Sequence, residues 1–370
     1  ADAEVDYIEH RPLKDPREIY MLDPACGSMH FGLYSFDLFE QIYLEAWDKH
    51  PGLLLDLRNT MSRQQYVQQI PEYIIRYNIH GVDIDPRALQ IAALSLWLRA
   101  QKSFDKLNLE ADQRPRITKS NLVLAEAMPG NTETLSELVK PLDAPMRKLV
   151  LHIWELMKLA GETGLLLRVE EEIDAKIAEL AKDLKEEGKA AQLTLAADAD
   201  ENTAAERADI YASKEYKDNF LQNASSEELR LLKELAEAAN AGDAYQKLLF
   251  ADDAARGFAF IELCRKRYDV ILMNPPFGDC TVNTRSYLNS SYPETKNDIY
   301  AMFIERSLYL LVEKGRIGAI TNRNGFFLQT LIGFRRLFFS NQLNICADLG
   351  VDIMDNAAVS AMAYVIEKDA

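Results

Sequence analysis

The stretch REIYMLDPACGSMHFGLYSFDLF, Arg17–Phe39, has the pattern that decides the fold. An apolar run ends near Asp23, a turn containing Gly27 follows, and apolar residues recur at helical spacing from about Phe31. The stretch therefore predicts a strand, a tight turn and a helix in succession. Repeated units of this kind are typical of α/β domains with a parallel sheet.

A second unit lies in RYNIHGVDIDPRALQIAALSLWLRA, Arg76–Ala100. Its predicted strand ends in a turn that holds Asp83 and Asp85, and Pro86 suits the first position of a helix. A third short strand is expected within residues 115–127. These units together predict a Rossmann-like α/β fold with a mainly parallel sheet.

A long acidic segment then interrupts the α/β pattern. Gly161–Ala255 holds 23 acidic and 11 basic residues, whereas the net charge of the whole chain is −16. Amphipathic helices are predicted at 167–192 and 225–250, joined by a polar connection. We expect an α-helical insertion that is solvated, or that offers a surface to a partner protein. Because the rest of the chain is close to neutral, a local groove for nucleic acid remains compatible with the composition.

The α/β pattern returns in KRYDVILMNPPF, Lys266–Phe277, where the apolar run Val270–Met273 predicts a strand. The elements expected after it are a helix in NDIYAMFIERSLYLLVEK, a turn at Gly315, a strand at Ile317–Thr321, and two strands within 343–354 and 360–368. The predicted organisation is one α/β domain in two parts, 1–130 and 256–370, with the insertion at 131–255.

The composition also argues against several classes of protein. Four cysteines without a CxxC pair and five scattered histidines give no reason to expect a metal site or a disulfide framework. No run of about 18 apolar residues and no basic, apolar leader is present, so we expect no membrane partner and a cytoplasmic location. The chain begins at Ala1 rather than at a methionine, which suggests a piece of a longer protein.

The ends of the first two strands predict a site for a cofactor that carries a nucleoside. In open parallel sheets, ligands bind beyond the carboxyl ends of the strands, and a glycine turn lets a ligand approach the backbone closely. The Asp83 carboxylate is placed to accept two hydrogen bonds from a ribose diol. A simple turn that caps the following helix is the other role open to Asp83.

The type of cofactor follows from what the motifs lack. No Walker lysine and no complete GxGxxG is present, so phosphate binding explains the turn poorly. S-adenosylmethionine fits better, because Asp23 could accept from its ammonium and Asn121, taken to follow the third strand, could contact the adenine edge. The predicted cofactor-binding residues are Asp23, Pro24, Ala25, Cys26, Gly27, Asp83, Ile84, Asn121 and Leu122.

Three motifs on successive strands carry a family resemblance. DPACGS at Asp23–Ser28, GVDIDP at Gly81–Pro86 and NPPF at Asn274–Phe277 resemble the DNA methyltransferases that modify adenine at N6, in their gamma order. The wider match is similar to the PglX methyltransferases of BREX phage-defence systems. The resemblance implies S-adenosylmethionine as cofactor, double-stranded DNA with a flipped adenine as substrate, and marking of host DNA. It implies that the two parts 1–130 and 256–370 form the catalytic domain, and that a partner of the insertion would be another protein of the defence system. The target-recognition domain that follows the catalytic domain in relatives is expected to be absent from the chain. NPPF alone also occurs in RNA and protein-glutamine methyltransferases, so those acceptors remain open.

The chemistry of an exocyclic amine explains the predicted catalytic residues, Asn274, Pro275, Pro276 and Phe277. If the Asn274 side-chain oxygen and the Pro275 carbonyl accept its two N–H protons, the nitrogen lone pair becomes available for in-line attack on a sulfonium methyl group. The two prolines would stiffen the loop, and Phe277 would offer a face to a flipped base. Otherwise the prolines end the strand and Phe277 belongs to the core.

Further positions in the sequence bear on the predicted cofactor and base sites. Phe303 is expected near the cofactor or in the core, and Asn322–Phe326 near the flipped base. Met29 and His30 occupy positions where relatives commonly have a glycine after DPACGS, so a bulky side chain beside the cofactor could weaken binding. The segment before DPACGS is short, so we expect the upstream motif that closes over the cofactor in relatives to be missing. A cofactor-binding scaffold with little catalysis of its own is therefore the other function kept open.

Overall fold

The fold was analysed in a computed structural model that describes residues 12–127, 140, 144–195, 256–351 and 360–369. Seven strands form one sheet in the order β3-β2-β1-β4-β5-β7-β6. The strands are β1 Met21–Asp23, β2 Ile79–Asp83, β3 Asn121–Leu124, β4 Tyr268–Met273, β5 Leu311–Asn322, β6 Gln342–Gly350 and β7 Ala361–Glu367. Strands β1 to β5 pair in parallel, and β7 runs antiparallel to both β5 and β6. The predicted α/β fold with a mainly parallel sheet is confirmed.

Helices cover both faces of the sheet. They are α1 His30–Lys49, α2 Leu55–Arg58, α3 Arg63–Tyr73, α4 Pro86–Lys106 and, further along the chain, Ala144–Met157, Ala160–Thr163, Val169–Leu195, Val282–Ser291, Ile299–Leu310 and Ile332–Phe339. Residues 256–265 are also helical. One buried cluster joins α1, α3 and α4 to one face of the sheet. A second cluster joins the later helices to the other face, giving three layers around two hydrophobic cores.

Local sequence signals explain where the first helices begin. Asp85 caps α4 by accepting a hydrogen bond from the Arg87 N–H, and Pro86 occupies the first helical position as predicted. Ser62 and Gln65 form a reciprocal capping box at the start of α3. Helix α1 begins instead after Met29, whose φ of 71° lies in the left-handed region.

The predicted turn at Gly315 differs from the structure, because β5 is continuous from Leu311 to Asn322. Its pairing with β4 shifts between Leu311 and Arg316, and Lys314 within that shift has a φ of 57°. The turn signal thus marks an irregularity inside a strand. The other predicted strands are observed within a few residues of their expected positions.

The first part of the predicted insertion packs into the core. Val169, Ile173, Ile177 and Leu180, which lie at helical spacing, are all buried in the same cluster as β4 and β5. Residues 225–250, predicted as a second amphipathic helix, lie outside the described residues. The division into 1–130, 131–255 and 256–370 stays a prediction, although the Ala144–Leu180 portion shares its hydrophobic core with the catalytic sheet.

Helices long and apolar enough to cross a bilayer are not found among the described residues.

Candidate active site at the carboxyl edge of the sheet

The carboxyl ends of β2, β1 and β4 lie side by side, because these strands are neighbours and run in parallel. A cleft of about 430 Å³ opens at this edge. It is lined by Pro24, Ala25, Val82, Asp83, Ile84, Glu162, Thr163, Gly164, Leu166, Asn274, Pro276, Asp279, Cys280, Thr281, Thr284, Leu288, Ile299 and Phe303. The structure thus brings predicted residues from all three sequence motifs to one cavity, of a size in which proteins bind small molecules.

The turn after β1 is tied to the end of β2. The N–H of Cys26 donates to the Val82 carbonyl over 2.9 Å, and the N–H of Gly27 donates to Asp83 Oδ2 over 2.7 Å. Gly27 has a φ of 50°, which a glycine adopts without strain, and a Cβ at this position would meet no atom within 4 Å. The turn therefore leaves open space beside its backbone.

Cys26 supports this turn from below. Its thiol is buried against Gly81, where a Cβ would lie 3.1 Å from Cys26 Sγ. Burial and the neighbouring carboxylates Asp23 and Asp83 raise the pKa of the thiol. Cys26 thus contributes its backbone to the turn and an uncharged side chain to the packing.

Two carboxylates make this end of the sheet electrostatically negative. Asp23 is only 2% exposed, and its pKa is raised to about 7, chiefly by burial and also by the charge of Asp83. The N–H of Ala25, 3.4 Å from Asp23 Oδ1, acts in the opposite direction. Asp83 Oδ1 accepts from the N–H of Asp85 over 2.8 Å. In the part of the chain that the structure describes, no lysine or arginine pairs with either carboxylate, so the pair favours a cationic ligand.

The NPPF loop extends β4 into the cleft. Asn274 and Pro276 are exposed and line the cavity, whereas Pro275 is buried. No hydrogen bond to the Asn274 side chain is found within the described ranges, so its amide oxygen is available to a ligand. Pro275 and Pro276 each have a fixed φ angle, so they restrict the conformation of the loop that carries the Asn274 amide.

Hydrogen bonds fasten this loop to the next helix. The N–H of Gly278 donates to Asp298 Oδ1 over 2.9 Å, and the N–H of Ile299 donates to the Gly278 carbonyl over 2.9 Å. Phe277 is half-buried, and its ring lies edge-on to Tyr300 with 6.0 Å between the ring centres. Phe277 thus packs against the core on one side. Its predicted stacking role stays a prediction.

Asn121 and Leu122 do not lie at the cleft. Asn121 is the first residue of β3, paired with His80 in β2, and its side-chain amide donates to the carbonyls of Ile75 and Arg76 over 3.2 and 2.9 Å. The prediction that Asn121 follows the third strand was therefore wrong, since the apolar run that makes the strand comes after it. Leu122 packs against the α1, α3 and α4 cluster.

The carboxyl end of β3 is instead followed by Ala125. Its N–H donates to the Asp83 carbonyl over 2.9 Å, which places Ala125 at the carboxyl edge of the sheet, beside the end of β2. The correct signal was the end of the apolar run NLVLA, not its beginning.

Met29 does not face the cleft. Its side chain is fully buried, and a Cβ at Gly32 would lie 2.6 Å from two of its carbon atoms. The methionine thus fills the space that Gly32 leaves open within the core. The expected crowding of a cofactor by Met29 was wrong, because the left-handed backbone at this residue turns its side chain into the protein.

One wall of the cleft comes from the insertion, which sequence reasoning did not foresee. Glu162 accepts hydrogen bonds from Thr281 Oγ1 over 2.7 Å and from Asn283 Nδ2 over 3.2 Å, and these contacts lower the pKa of its carboxyl. A Cβ at Gly164 would lie 3.2 Å from Ile84. The sequence GETG, residues 161–164, indicates a turn. Nothing in it indicates the contacts with Ile84, about 80 positions earlier, or with Thr281 and Asn283, about 120 positions later.

A buried ion pair holds this wall in place. Arg306 and Glu170 form two hydrogen bonds of 2.6 and 2.7 Å, and both side chains are almost completely buried. Arg306 Nε also donates to the Leu165 carbonyl over 3.0 Å. Arg306 lies one turn after Phe303, which lines the cleft, so the pair connects the insertion to the helix beneath the site.

The loop Asn322–Phe326 lies behind Phe277. Asn322 Oδ1 accepts from the N–H of Asn324 over 3.0 Å, and a Cβ at Gly325 would lie 2.3 Å from the Tyr300 hydroxyl. Phe326 packs in a cluster with Phe334 and Phe338. The loop therefore reaches the NPPF region through Tyr300, although none of its residues lines the described cleft.

Comparisons with known proteins agree with the motifs at this edge. A sequence profile of the family described as Eco57I restriction-modification methylase matches residues 77–351. The adenine-specific methyltransferase BrxX of Escherichia coli O9:H4 (strain HS) is 24% identical over 96% of this chain. The adenine-specific methyltransferase PglX of Lacticaseibacillus casei (strain Zhang) is 23% identical over 96% of this chain. The chain spans about a quarter of the length of these relatives, 26% and 24% respectively.

Matches among solved structures were also found. The Type ISP restriction-modification enzyme LlaBIII, in a complex with DNA, covers 95% of this chain at 12% identity with a TM-score of 0.43, and this chain covers 17% of that enzyme. A modification subunit of a putative type I restriction enzyme from Vibrio vulnificus YJ016 covers 95% of this chain at 11% identity with a TM-score of 0.39, and 40% of that subunit is covered. The resemblance based on DPACGS, GVDIDP and NPPF is confirmed by the family profile and the curated relatives.

Proposed function

The chain belongs to the Eco57I restriction-modification methylase family, and from this premise we propose that it forms the catalytic part of an S-adenosylmethionine-dependent DNA methyltransferase acting on adenine N6. One observation carries the proposal. Asn274, Asp83 and the Pro24–Ala25 turn, taken from three separate strands, line a single cleft. That cleft joins a place for a nucleoside-bearing cation to the Asn274 side chain, one of the two acceptors proposed for an amine substrate.

The charges and the shape of the cleft suit the proposed cofactor. S-adenosylmethionine, when bound, supplies an electrophilic methyl group on a sulfonium. Asp23 and Asp83 are two carboxylates without a described cationic partner, and both would gain from a ligand that carries positive charge. Each Asp83 oxygen accepts one backbone hydrogen bond and has capacity for another, which a ribose diol can donate. The open space at Gly27 admits a ligand close to the backbone.

Asn274 and Pro275 would prepare the amine. The Asn274 side-chain oxygen and the Pro275 carbonyl accept the two protons of the adenine amino group and stabilise the positive charge that develops on nitrogen. No strong base is needed at this step, because the acceptors orient the lone pair. As the new N–C bond forms, the bond between the methyl carbon and the sulfur would break and leave a neutral thioether. The extra proton on nitrogen would then pass to water. Asp298 keeps the loop in place by accepting from the N–H of Gly278. Orientation of this kind accounts for much of the acceleration in group transfer.

The acceptor proposed is DNA, because both curated relatives carry the name adenine-specific methyltransferase and the family is one of restriction-modification methylases. In such a system, methylation would mark host DNA so that it is spared. The amino group of a base within a duplex cannot reach a side chain inside a cleft while the base is stacked, so we propose that the adenine is flipped out. RNA or a protein glutamine would require the same acceptors, and the nature of the labelled product separates these cases.

The test uses the full protein that contains this chain, with tritiated S-adenosylmethionine and DNA from a strain that lacks the gene. Wild-type protein should label DNA in a form sensitive to DNase and resistant to RNase and protease, with the label in N6-methyladenine. Asn274→Ala should reduce labelling by at least about a thousandfold, in line with the loss of a group that stabilises transition-state charge. Asn59→Ala, at an exposed asparagine outside the cleft, should label DNA like wild type. Full activity of Asn274→Ala would contradict the proposed mechanism.

A further inference from the structure

A loop at the carboxyl end of β5 presents two apolar side chains to solvent. Phe327 is 69% exposed and Leu328 is 48% exposed, and both directly follow the buried turn around Gly325. A large aromatic side chain in water has an unfavourable hydration free energy, which contact with a partner would remove. Strand β5 is the direct neighbour of β4, which carries the NPPF loop.

The loop is held rigidly, so the exposure of Phe327 is built into the fold. Arg335 Nη1 donates to the carbonyls of Gly325 and Leu328 over 2.9 and 2.6 Å. Asn297 Nδ2 donates to the Thr330 carbonyl over 2.6 Å. These bonds fasten the backbone on either side of Phe327, whose side chain is exposed to solvent.

A continuous set of contacts connects this loop to the catalytic loop. The backbone at Gly325 lies directly against the Tyr300 hydroxyl, since a Cβ there would come within 2.3 Å of it. The ring of Tyr300 in turn meets the edge of Phe277. Phe327 therefore lies two residues beyond a glycine that packs beside the proposed base site.

Positive charge accompanies the exposed ring. The Arg323 guanidinium lies 5.8 Å from the centre of the Phe327 ring and also pairs with Asp348 over 2.8 Å. The neighbouring Gln329 and Thr330 are exposed and polar. An exposed aromatic ring with an adjacent leucine and an arginine at its base suits a nucleic-acid duplex, in which stacked bases are apolar and the flanking phosphates are anionic.

We propose that Phe327 is a wedge that enters duplex DNA at the target site and occupies the space left by the flipped adenine. The inference rests on the proposed function and adds the residue that keeps the base out of the helix. An unfilled gap in the base stack would favour return of the adenine, and an apolar side chain in the gap replaces the lost stacking contacts. Phe327 is thus a positioning residue, whose effect on the reaction is indirect.

The test compares Phe327→Ala with Phe339→Ala in the full protein. Phe339 is a matched control, because it is 61% exposed and is the last residue of the helix Ile332–Phe339. It lies just before the start of β6, at the amino edge of the sheet, whereas Phe327 follows the carboxyl end of β5. The target sequence is first mapped by sequencing DNA that the wild-type protein has methylated. On a duplex of that sequence, Phe327→Ala should lower kcat/KM about 10- to 100-fold, whereas Phe339→Ala and the apolar Phe327→Leu should stay within about threefold of wild type.

A second substrate separates a wedge from a merely structural role. In a duplex whose target adenine faces an abasic site, the base is already unpaired, so Phe327→Ala should recover to within about threefold of wild type. A benzophenone amino acid at position 327 should also crosslink to the mapped duplex, and the same probe at position 339 should not.

The outcomes distinguish failure of the inference from failure of the proposed function. Normal methylation by wild type together with undiminished activity of Phe327→Ala would overturn the wedge alone. Crosslinking at position 327 to a protein, with none to DNA, would likewise overturn it in favour of a protein-docking role. A wild-type protein that binds S-adenosylmethionine but methylates no DNA would overturn the proposed function, and the wedge with it.

Discussion

The N–H of Gly27 donates a hydrogen bond of 2.7 Å to the carboxylate of Asp83, so that the end of β2 fixes the turn that follows β1. The same carboxylate lines the cleft and is proposed to hold the ribose. The Asp83 side chain therefore has two roles: it fastens the turn, and it offers a carboxylate to a ligand. The bond from Gly27 orients the same carboxylate that the ligand would contact. Structure and binding should consequently change together when Asp83 is altered.

Asp83→Ala should weaken binding of S-adenosylmethionine by at least about 30-fold and should also lower the free energy of unfolding by about 1 to 3 kcal/mol, because a charge-assisted bond is lost. Titration calorimetry and urea unfolding measure the two effects. Asp85→Ala removes the cap of α4 two residues away and should reduce stability without a comparable loss of cofactor affinity. Equal affinity losses in the two variants would argue against contact between Asp83 and the ribose.

The buried Asp23 predicts a pH dependence of cofactor binding. Its pKa is raised to about 7, chiefly by burial, so the free protein holds Asp23 mainly protonated below that pH. An ammonium binds better to the ionised carboxylate. Affinity for S-adenosylmethionine should therefore rise as the pH increases from about 5.5 to 7 and level off above about 8, with a slope approaching tenfold per pH unit at the acidic end.

Asp23→Asn provides the control for this titration, since it keeps the size of the side chain and removes its charge. Its affinity should be low and almost flat over the same pH range. If Asp23→Asn kept the pH dependence of wild type, another group would be responsible for it, and the proposed contact between Asp23 and the ammonium would be wrong.

Arg306 and Glu170 predict a large effect on stability. Arg306→Met leaves the Glu170 carboxylate buried without its partner, and Glu170→Met leaves the guanidinium in the same state, so each should cost about 3 to 5 kcal/mol. The double variant, with two methionines facing one another, should be less destabilised than either single variant. Denaturant unfolding measures these differences.

Glu179→Gln, at an exposed ion pair with Lys176 on the same helix, provides the control and should not shift the unfolding midpoint measurably. A double variant as unstable as the sum of the singles would mean that the two residues are not coupled.

The sequence predicts those parts of the site that depend on neighbouring residues. An apolar run followed by a turn locates the ends of β1, β2 and β4, and parallel pairing then brings Asp23, Asp83 and Asn274 to one edge. Asn121 was misplaced because a short run in a polar stretch does not show on which side the strand lies. Glu162 could not be found, since its position at the cleft depends on the packing of a distant helix around Arg306.

Asp298 predicts how much the reaction depends on the position of the NPPF loop. It accepts from the N–H of Gly278 and also caps the helix Ile299–Leu310 by accepting from the N–H of Tyr300. Asp298→Ala should release the loop, and kcat should fall about 10- to 100-fold, because acceptors that are misplaced by about 1 Å orient the amine poorly. Cofactor affinity should change little, since Asp298 does not line the cleft.

Two further variants separate the loop from the cap. Asp298→Asn retains an oxygen that can accept both backbone bonds, so it should keep most of the wild-type kcat. Ser62→Ala removes an equivalent cap at the start of α3, on another helix, and should cost about 1 kcal/mol of stability while leaving kcat unchanged. Steady-state methylation at saturating substrate measures kcat, and urea unfolding measures the contribution of the cap to stability. If Asp298→Ala lost stability but kept the wild-type kcat, the orientation of the Asn274 side chain would have to be fixed by the two prolines alone.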